Sequence, residues 1–128
     1  MTKVLVDSDI IIDFLRTGGG MLPKLFIGQR DGKVELFLST ITVLELFAGK
    51  SSKTTTEKIH ELIAGFSIIP LGIDLAVFVG ELKRDHRMDT AFADLIVGAT
   101  SLSISARLAT RNRRHYRGIP KLRFYLSS

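Results

Sequence analysis

Short apolar runs with the length of strands alternate with helix-length segments along most of the chain. The strand-like runs lie at residues 4–6, 35–39, 66–69 and 107–110, and a run at 123–126 is a candidate fifth strand. Helical patterns mark the segments at about residues 10–15, 22–30, 40–49, 57–64, 74–87 and 90–105, with a polar loop at 51–56. Strands that alternate with helices form parallel sheets covered on both faces. We therefore predict a three-layer α/β/α fold with a mostly parallel sheet of four to five strands.

The size and composition of the chain limit the classes of protein that it can be. Its 128 residues fit a single domain over residues 1–128. The chain has no cysteine, which excludes disulfides, thiolate catalysis and cysteine-ligated zinc. The N-terminal apolar run is short and is broken by Asp7, Asp9 and Asp13, so we expect no signal peptide. No apolar stretch approaches the roughly 20 residues that cross a membrane. We expect a cytoplasmic protein.

Three acidic residues stand where an ordinary core would not place them. Asp7 ends the first strand-like run, and Glu45 and Asp94 lie inside apolar stretches. A buried, unpaired carboxylate is costly, so such groups are normally paired or bound to a cation. Sites in parallel sheets form at the carboxyl ends of the strands, where these residues are expected. If the fold brings them together, they form an oxygen-only pocket suited to Mg²⁺ or Mn²⁺.

Each of these acids also has an ordinary structural interpretation. An aspartate after a strand is often only a helix cap, which applies to Asp7. Asp94 in the first turn of a helix is stabilised by the helix dipole without any further function. Glu45 can equally lie on a solvated helix face. Three further acids are interpreted as caps or surface residues and not as ligands, namely Asp9, Asp13 and Asp89.

Positive charge is concentrated in the last third of the chain. The net charge is +5, and no Asp or Glu follows Asp94. The basic residues beyond that point are Arg107, Arg111, Arg113, Arg114, Arg117, Lys121 and Arg123. Such a surface attracts phosphate backbones and releases their counterions. A solvated surface and a docking site for an acidic partner are the alternatives. Together with the carboxylates, the charge points to phosphodiester chemistry on nucleic acid.

Four segments resemble, in order and spacing, the motifs of PIN-domain ribonucleases. They are VLVDSDIIIDFL at residues 4–15, STITVLELFAG at 39–49, DLIVGAT at 94–100 and LATRNRRHY at 108–116, the last followed by Ile119 and Pro120. The four segments together extend over essentially the whole chain. Within that family the chain is most similar to the VapC-type toxins of prokaryotic toxin–antitoxin modules.

The resemblance implies a Mg²⁺- or Mn²⁺-dependent endoribonuclease that forms a homodimer and is inhibited by a cognate antitoxin protein. It implies metal ligands at Asp7, Glu45 and Asp94, with Asn112 at the fourth position of the catalytic set. For the RNA substrate, we expect the phosphates to be held by Arg111, Arg113 and Arg114.

The chain departs from the family pattern at three positions. Asp9 stands where the family often has asparagine, which brings an extra acid near the pocket. Asn112 stands at an acidic position, and His115 replaces an aspartate that frequently follows it. Asn112 can ligate a metal through its carbonyl or orient a water, but it brings no charge. Fewer carboxylates weaken a second metal site.

Two other functions remain open from the sequence. Asp7 and Asp9 after a strand are similar to the nucleophile motif of haloacid-dehalogenase-type phosphatases, but the chain is short for that fold and has no clear downstream lysine motif. The other alternative is a module that binds RNA or a partner protein through a degenerate, inactive site, an idea that the uncharged Asn112 supports. Metal-dependent cleavage of RNA would exclude this second alternative.

Overall fold

The computed structural model describes residues 1–49, 52–86 and 89–126, and a four-stranded parallel sheet lies at its centre. The strands are β1 (Thr2–Val6), β2 (Val34–Ser39), β3 (Ser67–Ile69) and β4 (Arg107–Ala109). Their order across the sheet is β3-β2-β1-β4. Val4 of β1 is in register with Leu36 of β2, and Val6 is in register with Ala109 of β4. β1 is therefore a central strand, and its carboxyl end lies beside that of β4.

Within the described ranges, six α-helices connect the strands and cover both faces of the sheet. They are α1 (Ser8–Thr17), α2 (Leu22–Arg30), α3 (Thr40–Ala48), α4 (Ser52–Ile63), α5 (Ile73–His86) and α6 (Phe92–Ser103), and a 3₁₀ helix, Arg113–Tyr116, follows β4. Val4 and Val6 face a core shared with α1 to α4, whereas Leu5 faces a second core shared with α5 and α6. Alternate residues of one strand thus enter two cores, which is the expected consequence of the period of two. The predicted three-layer α/β/α architecture is confirmed.

One boundary of the sequence prediction differs from the structure, and another cannot be compared with it. Helix α4 begins at Ser52, so the predicted loop is wrong over 52–56, while residue 51 lies outside the described part of the chain. Ile59 and Leu62 of α4 pack in the first core. This packing stabilises the helix, so its polar N-terminal part is helical although the helix propensity of those residues is low. The predicted end of α5 at residue 87 also falls outside the described residues, which place His86 last.

The run at 123–126 does not form a regular fifth strand. It makes one isolated parallel bridge, between Phe124 and Leu108, in which the Leu108 N–H donates to the Arg123 carbonyl and the Tyr125 N–H donates to the Leu108 carbonyl. Because β4 has only three residues, it offers little edge for a longer ladder. Separately, none of the helices in the described ranges has the length and apolar character needed to cross a membrane.

Candidate active site

Asp7 occupies the junction between β1 and α1. Its backbone N–H donates to the Ala109 carbonyl at 2.9 Å, which ties it to β4, and its side chain is only 7% exposed. One carboxylate oxygen, Oδ1, accepts from the Ser8 N–H at 2.8 Å and caps α1. The predicted cap is therefore present. The cap uses only Oδ1, and Oδ2 of Asp7 forms hydrogen bonds with other residues.

The second oxygen of Asp7 lies between two hydroxyl groups. Asp7 Oδ2 accepts from Thr110 Oγ1 and from Tyr116 Oη, each at 2.8 Å. Tyr116 Oη also lies 3.4 Å from Oδ1 of Asp94, which is in the first turn of α6 as predicted. Burial raises the pKa of Tyr116, and the charge of Asp7 raises it further, so the phenol stays a proton donor. Tyr116 thus holds Asp7 and Asp94 at one place.

Glu45 lies in the same electrostatic field. Burial raises the pKa of the Glu45 carboxyl, and the charges of Asp7 and then Asp94 raise it further, against a hydrogen bond from the Ser8 side chain. Burial likewise raises the pKa of Asp94, with a further contribution from Asp7 and opposing contributions from His115 and Tyr116. Tyr116 places Asp94 beside Asp7, and the hydrogen bond from the Ser8 side chain places Glu45 beside the start of α1. The three acids Asp7, Glu45 and Asp94 therefore lie around the same end of the sheet.

A fourth carboxylate, Asp9, joins this cluster from the first turn of α1. Its Oδ2 accepts from the Arg111 N–H at 3.0 Å and lies 3.3 Å from Thr110 Oγ1, the hydroxyl that donates to Asp7. Its Oδ1 is buried and has no hydrogen-bond partner among the described residues. Burial, followed by the charge of Asp7, raises the pKa of Asp9 from 3.8 to about 6. Asp9 is therefore not a free surface residue, because its side chain is partly buried and bonded to the loop after β4. It lies near the other acids, as the departure from the family pattern implied, and whether it is a metal ligand stays a prediction.

Asn112 is exposed, and it contacts the acidic cluster as a donor. Its side-chain amide donates to Asp9 Oδ2 at 3.4 Å, and its backbone N–H donates to Thr110 Oγ1 at 3.1 Å. Thr110 itself is only 8% exposed and its hydroxyl lies between Asp7 and Asp9. The asparagine therefore takes part in holding Asp9 and the loop that follows β4.

The three arginines predicted to bind RNA have different surroundings. Arg111 forms an ion pair with Asp13, with 3.3 Å between Nη1 and Oδ1, so part of its charge is already balanced. The Arg113 guanidinium lies over the ring of Phe124, 5.4 Å from the ring centroid. Arg114 is exposed on the same 3₁₀ helix. Next along the chain, His115 Nδ1 lies 3.7 Å from Asp94 Oδ2, close enough for an ion pair when the imidazole is protonated.

A comparison with models of known protein families identifies the family of this chain. The PIN domain family model matches residues 4–119, which is most of the chain. The chain belongs to the PIN domain family. A comparison with the sequences of curated proteins finds no match.

Solved structures similar to this PIN domain include chains of several complexes. One is in a crystal structure of VapBC2 from Rickettsia felis bound to a DNA fragment from their promoter (TM-score 0.83, 16% identity, 99% of this chain and 100% of that one covered). Another is in a DNA-bound VapBC structure from Salmonella typhimurium (TM-score 0.82, 16% identity, 98% of each chain). A third belongs to a toxin–antitoxin complex from Klebsiella pneumoniae (TM-score 0.69, 24% identity, 93% and 94%). At these identities the likeness establishes the fold.

Sequence reasoning assigned no role to the two hydroxyl groups that organise this PIN domain's carboxylates. Thr110 follows β4 and Tyr116 ends the 3₁₀ helix, and both lie within the fourth family-like segment. No period or spacing marks them, because their partners Asp7 and Asp94 are distant in the chain. The one available signal was the position of Thr110 at the end of a predicted strand, next to the end of β1.

The donor set of the cluster suits a divalent cation. Among the residues that the structure describes, no three side chains of the metal-binding types already surround one ion position. The acids nevertheless raise one another's pKa, and a buried oxygen of Asp9 is unpartnered, so excess negative charge accumulates here. Carboxylate oxygens are the ligands that Mg²⁺ and Mn²⁺ prefer. The chemistry of these donors therefore fits such an ion.

Proposed function

We propose that this PIN domain is a Mg²⁺- or Mn²⁺-dependent endoribonuclease and the toxin component of a type II toxin–antitoxin pair. The observation that carries the proposal is the convergence of Asp7, Glu45 and Asp94 at one end of the sheet, with Tyr116 linking two of them. Such an accumulation of carboxylates destabilises the fold unless it serves a cation. Basic side chains next to the acids supply the attraction for a polyanionic substrate.

Asp7, Glu45 and Asp94 are the proposed ligands of the metal. When bound, a divalent cation polarises the scissile phosphate and makes a bound water more acidic. Asp7 is held by its hydrogen bonds to Ser8, Thr110 and Tyr116, so its orientation is set before an ion arrives. Preorganised ligands of this kind need little rearrangement on binding, which favours affinity.

The chain's own polar groups have distinct proposed roles around the metal. Tyr116 keeps Asp7 and Asp94 near each other through its shared hydroxyl. Asn112 and Arg111 hold Asp9 by donating to its Oδ2, and Asn112 completes the proposed catalytic set from that position. Arg113 and Arg114 are proposed to bind substrate phosphates, and Arg111 contributes after its ion pair with Asp13 is loosened or shared.

The partners are proposals of the same kind. The similar structures from Rickettsia felis, Salmonella typhimurium and Klebsiella pneumoniae are chains of VapBC or toxin–antitoxin complexes, which supports a cognate antitoxin for this chain. We also propose a homodimer. Helix α5 is the proposed interface, since it leaves Ile73 and Val77 exposed at 78% and 53%, whereas α4 directs Ile59 and Leu62 into the core. The cytoplasm is the proposed site of action, since the RNA substrate is found there.

Cleavage of a mixed small-RNA pool tests the proposed activity. The purified protein is assayed with Mg²⁺, with Mn²⁺ and with EDTA, beside Asp94→Asn and the matched variant Asp74→Asn. Asp74 is also in the first turn of a helix, but it is exposed on α5. We expect discrete metal-dependent products from the wild type and from Asp74→Asn, and a loss of about 100-fold in Asp94→Asn, since losing even a group that supports a metal ligand costs roughly 10- to 100-fold.

Two outcomes would contradict the proposal. Equal cleavage by Asp94→Asn would show that the carboxylate cluster is not the active site. Bound RNA without turnover under any metal condition would favour the alternative of a binding module with a degenerate site, and would make the uncharged Asn112 the first position to restore to an acid.

A further inference from the structure

A shallow cleft lies beside the carboxylate cluster, between the 3₁₀ helix and the C-terminal segment. Its volume is about 260 Å³, and its walls include Arg113, Arg114 and Arg117 together with the apolar side chains of Leu122 and Phe124. The ring of Tyr116 also lines it. A cleft with both an apolar wall and cationic groups is suited to a ligand that has an aromatic part and an anionic part.

The cationic groups of this cleft have no carboxylate partner. Among the described residues, the structure shows no ion pair for Arg113, Arg114 or Arg117, and all three are exposed. By contrast, the neighbouring Arg111 is paired with Asp13. No acid follows Asp94 in the sequence, so nothing in this part of the chain is available to neutralise them. The ligand that these groups select is an anion.

The apolar wall offers an aromatic face. Phe124 is partly buried, and the Arg113 guanidinium lies 5.4 Å from its ring centroid. Unpaired nucleobases stack on phenylalanine rings and on arginine planes, whichever base is present. An exposed cation–π contact is weak, so a base that stacks against the same pair displaces or joins it at little cost.

The buried side chain of Tyr116 lies between the cleft and the acidic cluster. This residue lines the cleft, while on the other side its hydroxyl donates to Asp7 at 2.8 Å and lies 3.4 Å from Asp94 Oδ1. A strand of nucleic acid with its scissile phosphate at the carboxylates therefore has its neighbouring nucleotide next to this cleft.

We infer that this cleft is a nucleotide subsite for the substrate strand, with a base on Phe124 and a phosphate at Arg114 and Arg117. The inference rests on the proposed ribonuclease function and deepens it. It adds base stacking to a site that otherwise recognises only phosphate, and it assigns a substrate contact to Arg117, Leu122 and Phe124. An acidic peptide is the competing occupant, because it satisfies the arginines but not the aromatic wall.

Binding of two ligands with the same charge tests the subsite without any cleavage. The probes are fluorescein-labelled oligouridylate and an abasic ribose-phosphate chain, each of about 12 units, and anisotropy is read in EDTA. We expect the wild type to prefer the base-bearing strand, and Phe124→Leu to lose about tenfold of that preference, since one stacked base is worth about that much. Arg117→Gln should weaken both probes and reduce the salt slope by about 0.7.

Arg123→Gln is the matched control for charge. Arg123 is exposed in the same segment, but it does not line the cleft. It should weaken both probes less than Arg117→Gln and leave the base preference unchanged. Far-ultraviolet circular dichroism checks that each variant is folded. If Phe124→Leu does not fold, Arg117→Gln, at an exposed position, tests the subsite in its place.

The outcomes separate the subsite from the proposed activity. An unchanged base preference in Phe124→Leu, together with equal effects of Arg117→Gln and Arg123→Gln, would overturn the subsite while wild-type cleavage still stands. If the variants no longer bind a polyglutamate peptide but still bind the oligonucleotide, the nucleotide subsite is overturned in favour of a peptide site. If the wild type neither binds nor cleaves RNA, both the subsite and the ribonuclease proposal are overturned.

Discussion

Replacing Asp9 with asparagine should stabilise the folded protein at neutral pH, by an amount that depends on pH. Burial and the charge of Asp7 raise the Asp9 pKa from 3.8 to about 6, so ionising it in the folded state is unfavourable. At roughly 1.4 kcal/mol for each step of one in pKa, this rise is worth about 3 kcal/mol. Because the side chain is only partly buried, solvent screening reduces the expected effect to about 1–2 kcal/mol.

The sign follows from which state holds the proton. Between about pH 4 and pH 6 the folded protein keeps the Asp9 proton that the unfolded chain has already released, so wild-type stability falls as the pH rises. Asp9→Asn lacks this fall. The stability difference between variant and wild type should therefore grow from pH 4 to pH 7.5 and then stay constant. A buried amide N–H without a partner lowers the stability of the variant, but by the same amount at every pH.

Urea unfolding in EDTA at about pH 4, 5.5 and 7.5 measures this difference, followed by circular dichroism. The other raised carboxyls, Glu45 and Asp94, are present in both proteins, so most of their pH dependence cancels in the comparison. Asp74→Asn removes one exposed negative charge and controls for net charge alone. A stability difference between Asp9→Asn and wild type that is the same at pH 4 and at pH 7.5 would refute the argument.

Three further perturbations follow from contacts in the structure. Tyr116→Phe removes the hydroxyl that lies between Asp7 and Asp94. It should lower the free energy of unfolding in urea by about 1–3 kcal/mol and lower the metal affinity measured by calorimetry. Unchanged values for both would contradict the bridging role of Tyr116. Gly98→Val places a side chain against the buried end of Ile119, and should lower the thermal midpoint through overpacking worth about 1–3 kcal/mol. Val77→Glu should shift the proposed dimer toward monomer in analytical ultracentrifugation without changing the far-ultraviolet spectrum, and a dimer of unchanged strength would exclude α5 as the interface.

The parts of the fold that depend on local patterns could be predicted from the sequence. The four strands and the helices that follow them have apolar residues at different spacings along the sequence. These spacings do not depend on the tertiary structure. Asp94 was expected in the first turn of its helix and lies there. The predictions failed where packing overrides local preference, as at the polar start of α4, and where a partner strand is too short, as at Phe124.

The candidate site also has features that the sequence predicts and features that it does not. The residue types at positions 7, 45 and 94 indicated a site for a hard cation, because carboxylates among apolar residues need a partner. Whether those residues act as metal ligands and catalytic groups stays a prediction. Their convergence could be expected from the strand ends of a parallel sheet. The position of Asp9 near the pocket was implied by the family pattern, but its bond to Thr110 and the roles of Thr110 and Tyr116 could not be expected, since each depends on contacts between residues about a hundred positions apart.

The sequence by itself determined the α/β class, the acidic cluster as a set of residue types and the basic character of the C-terminal third. These features are properties of composition and local period, which do not depend on how the chain closes on itself. Only the tertiary structure decided that one tyrosine hydroxyl lies between two carboxylates and that a cleft opens beside it. It also decided that, within the described residues, Arg111 is paired while Arg113, Arg114 and Arg117 are not. Hydrogen bonds and ion pairs act over a few ångströms, so the fold must bring distant residues together before such interactions exist.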